Sequence, residues 1–122
     1  MTFSITARCS RTGDLGIAVS TAIPAVGAIN PFASARVGAI ATQGWSNPHL
    51  GIDGLSLLAQ GLSAVEVLEQ LLKAVADKER RQLSIVDGHG GAARRSVDIG
   101  TSPSVNSYGT CLATPPGKSL GG

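Results

Sequence analysis

A chain of 122 residues, 43% hydrophobic and 15% charged, has the length of one small domain and enough apolar content to fold, which excludes a disordered polymer. Its formal net charge of +2 gives no electrostatic basis for a nucleic-acid or anionic-membrane partner, and no apolar run reaches the roughly 18 residues that a membrane-spanning helix needs. Aromatic residues make up only 3%, so the core has to come from Ala, Val, Ile and Leu.

Residues 3–9 alternate, with Phe3, Ile5 and Ala7 on one face and Ser4, Thr6 and Arg8 on the other. That period of two predicts a half-buried strand. The polar group Ser10, Arg11, Thr12, Gly13 and Asp14 then supplies a hairpin connection. Residues 15–22 predict a second strand, whose small residues Gly16, Ala18 and Ser20 suggest a backbone packed close to one face. Pro24, Gly27 and Pro31 mark a loop or irregular edge. Residues 38–43 predict a third strand, and residues 44–49 a connector around Trp45 and the Asn47-Pro48 pair.

Two helices follow. Leu55, Leu58 and Ala59 fall at helical spacing over residues 52–60, and Gly61 stops that helix as a left-handed cap. Ser63 and Glu66 form a capping box for the next, with Val65, Leu68, Leu72 and Val75 on one face and Lys73 at the negative pole of the dipole. Residues 81–87 predict a fourth strand. After Asp87 the texture changes to Gly, Ser, Pro, Ala and Arg, with only short strand candidates such as residues 96–99. The chain thus divides into an organised part over residues 1–88 and an irregular tail over residues 89–122. The tail reads either as a truncated or frame-shifted continuation or as a divergent segment.

Cys9 and Cys111 have neither CxxC spacing nor metal-ligand spacing with His49 or His89. Reduced thiols and a cytoplasmic location are expected, since no basic region followed by an apolar run opens the chain. The glycine-rich run Gly88, His89, Gly90 and Gly91 lacks a following helix and a Lys-Ser/Thr pair, so it is not a phosphate loop. Lys78, Glu79, Arg80 and Arg81 read as a solvated helix end.

The order of these segments resembles a large prokaryotic family known only as domain of unknown function 1028. The resemblance rests on residues 1–5, on Thr12-Gly13-Asp14-Leu15-Gly16 and on Ile17-Ala18-Val19-Ser20. It continues through Pro24-Ala25-Val26-Gly27-Ala28, Gly38-Ala39-Ile40-Ala41-Thr42-Gln43, Asn47-Pro48, Gly51 and the helix with Gly54, Leu55, Leu57 and Leu58. Gly61-Leu62-Ser63-Ala64 and residues 81–87 complete it, so it covers about residues 1–88. That family looks like a member of the N-terminal-nucleophile hydrolases. The resemblance implies an α+β fold, the N-terminal half of an αββα sandwich with mostly antiparallel strands and two helices. It also implies a domain longer than this chain.

On that resemblance Thr2 is the catalytic candidate. With Met1 removed, its hydroxyl attacks a carbonyl while its own α-amine, with an unperturbed pKa of about 7.7–8.0, serves as base. The alternative is that Thr2 is simply a small residue after the initiator. Proteasome-type relatives place a lysine early in the chain; here the first is Lys73, and Arg36 is the cation considered in its place, able to act only electrostatically. Where those relatives carry an Asp near the end of the second strand, this chain offers Ser20 and Thr21. Gln43 and Asn47 are candidate oxyanion or substrate ligands, because amides stabilise negative charge without titrating. The alternative for both is a hydrogen bond to the loop backbone around Trp45. His49 is a candidate general base or a surface-loop histidine, and Asp53 a helix-start residue.

The expected activity is hydrolysis of an amide or other C–N bond of a small molecule or peptide. No metal or organic cofactor is implied. The competing expectation is a non-catalytic scaffold for assembly or ligand binding, and a homo-oligomer suits either. A half-domain with an uncovered sheet edge and helix face is also expected to be marginal, oligomeric or aggregation-prone in isolation.

Overall fold

The computed structural model describes residues 2–22, 24–44, 47–95 and 109–113. β1 (Thr2–Arg8) and β2 (Leu15–Thr21) pair antiparallel, with Ser4 opposite Val19 and Arg8 opposite Leu15. Their turn is closed by Cys9 N donating to Asp14 O at 2.8 Å and Gly13 N to Cys9 O at 2.8 Å. Gly13 takes a φ of 79°, a conformation that glycine adopts without a Cβ penalty. β7 (Gly109–Ala113) adds to the other side of β1 in parallel register, giving a three-stranded sheet in the order β2-β1-β7.

A second sheet joins β3 (Pro31–Ser34), β4 (Gly38–Gly44), β5 (Arg81–Asp87) and β6 (Ala92–Arg95), all antiparallel and in that order. Helices α1 (Pro48–Ala59) and α2 (Ala64–Ala74) connect β4 to β5 and cover one face of this sheet. The chain is therefore an α+β fold in which strands dominate, with two helices. The first sheet lies on the face opposite the helices, since β1 packs against β4 and β5, β2 against β3 and β4, and β7 against β5 and β6.

The two faces of the four-stranded sheet differ in chemistry. On the helix side Ile40, Leu83 and Ile85 join Leu50, Leu58, Ala64, Val67 and Leu71 in one apolar core. Burial of such side chains is worth about 1.5–3 kcal/mol each, and this face holds the fold together. Glycines let the layers approach: a Cβ on Gly51 would run into the Phe32 ring, and one on Gly54 would stand 2.5 Å from Ile40 Cδ1. On the side facing the first sheet, Gln43, Gln82 and Ser84 alternate with Ala39, Ala41 and Val86, all buried. Across from them lie Ser4 and Thr6, and Thr6 Oγ1 donates to Ser84 Oγ at 3.3 Å.

β1 is half-buried, as its alternation predicts, and the buried face is the polar one: it carries Ser4 and Thr6, while Ile5 is 36% exposed. On β2, Gly16, Ala18 and Ser20 are likewise exposed, and nothing stands within 4 Å of a Cβ placed on Gly16. The close backbone expected from those small residues is absent among the described residues.

Other elements shift by physical causes that are plain in the structure. α1 begins four residues before the expected start, because Asn47 caps it and Pro48 occupies a first-turn position that needs no N–H donor. Asp53 therefore sits in the second turn, exposed, and is not a cap. In α2 the capping box is present, but the buried face is Ala64, Val67 and Leu71, and Val65 is 53% exposed. The second sheet runs on past Asp87 into β6, where Ile85 pairs with Ala93. The strand candidate at residues 96–99 and the residues around Trp45 lie outside the described residues.

Candidate functional site

The start of β1 is located by its neighbours. Thr6 meets Ser84 at mid-strand, while Arg8 reaches the β5–β6 turn, its Nη1 lying 3.8 Å from the point where a Cβ on Gly90 would stand. β1 therefore runs in the direction of β5 and against β4. Stepping back from Thr6, Ser4 and then Thr2 lie toward the beginning of β5 and the end of β4. That end of the sandwich carries Arg81 and Gln82, paired with Gly44 and Gln43. Asn47 and the N-terminus of α1 come three residues after Gly44 in the chain. By strand direction, Thr2 thus lies toward the same end of the fold as the two amide residues Gln43 and Asn47, which are close to each other in sequence and far from Thr2.

Their settings differ. Gln43 is buried at 2% exposure, and neither its amide oxygen nor its amide nitrogen has a hydrogen-bond partner among the described residues. Ser4 Oγ, also buried, is in the same condition. Orphaned amides and hydroxyls of this kind are rare, because each forfeits its hydration without a replacement. Asn47 is half-buried, and its Oδ1 accepts the His49 amide at 3.1 Å. The cap uses the acceptor end of Asn47 and leaves its Nδ2 as the donor end.

The side chains that can carry positive charge are spread over the fold. Arg36 stands in the β3–β4 turn at the opposite end of the sandwich, at a φ of 63°. Lys73 and Lys78 line a groove of about 440 Å³ with Arg95 and Glu69, against α2 and β6. His49 is exposed on the first turn of α1, and His89 exposed in the β5–β6 turn. No group of three His, Cys, Asp or Glu among the described residues is arranged to hold a metal ion.

Asp87 is the residue whose importance was least visible in the sequence. It is 6% exposed, and its carboxylate accepts three backbone amides: Ala64 N at 3.2 Å, His89 N at 2.9 Å and Gly91 N at 2.8 Å. It binds the first turn of α2 to the β5–β6 turn. The local signal is an Asp followed by Gly88, His89 and Gly90, the composition of an Asx-type turn.

The family described as "Family of unknown function (DUF1028)" matches residues 2–101. The chain belongs to that family. Its match extends beyond residue 88, in keeping with the pairing of β6 to the second sheet. Among solved structures the chain is similar to protein SPO2555 from Silicibacter pomeroyi, a DUF1028 protein, with a TM-score of 0.77 and 26% identity. That similarity covers 84% of this chain and 48% of the relative, so the chain spans about half the length of the structure it matches. No curated protein matches it. No helix among the described residues is long and apolar enough to cross a membrane.

Proposed function

We propose that this DUF1028 chain carries the nucleophile-bearing part of an N-terminal-nucleophile hydrolase acting on an amide or other C–N bond of a small molecule or peptide. The observation that supports it is the placement of Thr2 at the start of β1, at the same end of two stacked sheets as Gln43 and Asn47. After removal of Met1, Thr2 Oγ adds to the substrate carbonyl and its α-amine takes the hydroxyl proton. The oxygen that becomes negative is held by a neutral donor, for which Asn47 Nδ2 and the Gln43 amide are the candidates. Collapse expels the amine with that proton, and water then releases the acyl group from Thr2. In this reading the α-amine of Thr2 is the base, since an N-terminal threonine carries its own. The setting is cytoplasmic and the assembly a homo-oligomer in this reading.

Intact mass measurement of the purified protein tests it first: Met1 is expected to be absent. A panel of amide and peptide substrates offered to the whole protein is then expected to show turnover that Thr2→Ala abolishes. Retention of Met1, or turnover untouched by Thr2→Ala, overturns the assignment. The sealed Gln43 amide favours a second reading, a non-catalytic scaffold, because a donor at 2% exposure has no path to substrate unless the sandwich opens. Lack of turnover across the panel with Met1 removed would favour that scaffold.

A further inference from the structure

The seam between the two sheets buries polar atoms that other side chains and the backbone do not pair. Gln43 is 2% exposed, and among the described residues neither end of its amide has a hydrogen-bond partner. Ser4 is 1% exposed, and its Oγ is in the same condition. Atoms of this kind forfeit their hydration on burial, and protein interiors return it through a protein group or an ordered water.

Strand direction puts the two residues in one layer. Thr6 Oγ1 donates to Ser84 Oγ at 3.3 Å, and β1 runs in the direction of β5. Two residues back along each strand, about 7 Å, stand Ser4 and Gln82. Aligned sheets cross at about 30°, so over that step the two strands diverge by only about 4 Å. Gln82 is the register partner of Gln43 on β4. Ser4 therefore stands over the Gln43–Gln82 pair, across the space between the sheets.

That space is polar and has room. Next to the Gln43–Gln82 pair, the seam is lined by Ala41 on β4, Ser84 on β5, and Ser4 and Thr6 on β1, all buried. Stacked sheets lie about 10 Å apart, and side chains this short do not fill that distance from both sides. Interior spaces that stay dry are apolar, whereas one lined by an amide and hydroxyls takes water.

We propose that Gln43 and Ser4 hold internal water between the two sheets. Gln43 Nε2 donates to one water, Gln43 Oε1 accepts from another, and the Ser4 hydroxyl bonds to one of the two. Thr6, Ser84 and Gln82 line the same layer and supply further polar atoms toward the roughly three hydrogen bonds that a buried water makes. The water links β1 to β4 through Ser4 and Gln43 and so fixes how the sheets stack at the end where β1 begins. This site does not depend on the hydrolase reading.

The test uses the whole ¹⁵N-labelled protein. A rotating-frame cross-peak between water and the Gln43 Nε2 protons is expected, with the sign that separates dipolar contact from proton exchange. Gln43→Met exchanges the amide for an apolar group of similar length. A dry, unpaired amide would make that exchange stabilising, whereas a hydrated one makes it destabilising, because the water and Ser4 lose a partner. The thermal midpoint of Gln43→Met is therefore expected to fall. Ser4→Ala is expected to lower it as well, and the double variant should lose less than the sum of the two, as for residues that share a partner. Absence of the dipolar cross-peak in the parent protein, a higher midpoint in Gln43→Met, or additive losses in the double variant overturns the proposal.

Discussion

The carboxylate of Asp87 accepts the backbone amide of Ala64 at 3.2 Å, and so joins the last residue of β5 to the first residue of α2 across 23 positions of sequence. The same carboxylate closes the β5–β6 turn through His89 and Gly91. One side chain therefore sets both the seat of a helix and the start of the last strand of the second sheet. Gly91 packs against that carboxylate so tightly that a Cβ there would collide with it.

Asp87→Ala leaves three amides without their acceptor, one of them on a buried residue. It is expected to destabilise the fold by about 3 kcal/mol, the scale of losing hydrogen bonds to a charged group. Asp87→Asn retains one acceptor oxygen and is expected to cost less. Urea unfolding of the three proteins checks the order, and equal midpoints would show that the turn is held by other contacts.

The Ser63–Glu66 capping box makes a pH-dependent prediction. The Ser63 backbone amide, and then its hydroxyl, hold the Glu66 carboxyl below its ordinary value of 4.5. A depressed carboxyl contributes stability above the unfolded value and loses it as pH falls through the folded one. Glu66→Gln keeps a capping side chain without the charge. Its thermal midpoint is expected to lie below the parent's at about pH 7 and to converge with it below about pH 4, the unperturbed range of a glutamate. A gap that persists in acid would point to packing instead.

Cys9 is a free thiol, and its hydrogen bond with the Thr12 hydroxyl is the main cause of its lowered pKa. Since the thiolate is the nucleophile, alkylation by iodoacetamide is expected to reach half its maximal rate below the ordinary value of 9.0. Thr12→Val removes the hydroxyl at nearly constant shape, and the midpoint should rise. An unchanged pH profile would assign the shift to the turn amides and Arg11.

Burying the wrong-looking face of β1 shows where local pattern and tertiary structure part. Ile5 suggests an inward face by its hydrophobicity, yet Ser4 and Thr6 point into the seam because Ser84 and Gln82 stand opposite. Period two tells which residues share a face and is silent on which face another sheet will cover. The same limit hid β6. Four residues, Ala92 to Arg95, carry no apolar alternation, and they are a strand because β5 offers them hydrogen bonds and Asp87 turns the chain back.

What the sequence determined by itself is what depends on neighbours in the chain. The β1–β2 turn, the Ser63–Glu66 capping box and the left-handed stop at Gly61 follow from side-chain groups acting on backbone within a few residues. So do the strands over Gly38–Gly44 and Arg81–Asp87, whose apolar β-forming residues are buried on both faces. Tertiary structure alone decided that Thr2 begins its strand at the end of the sandwich where Gln43 lies, and that Arg8 lies between the β1–β2 and β5–β6 turns at the other. Those relations depend on the direction in which one sheet crosses another, which is set by packing between residues some 80 positions apart, such as Thr6 and Ser84.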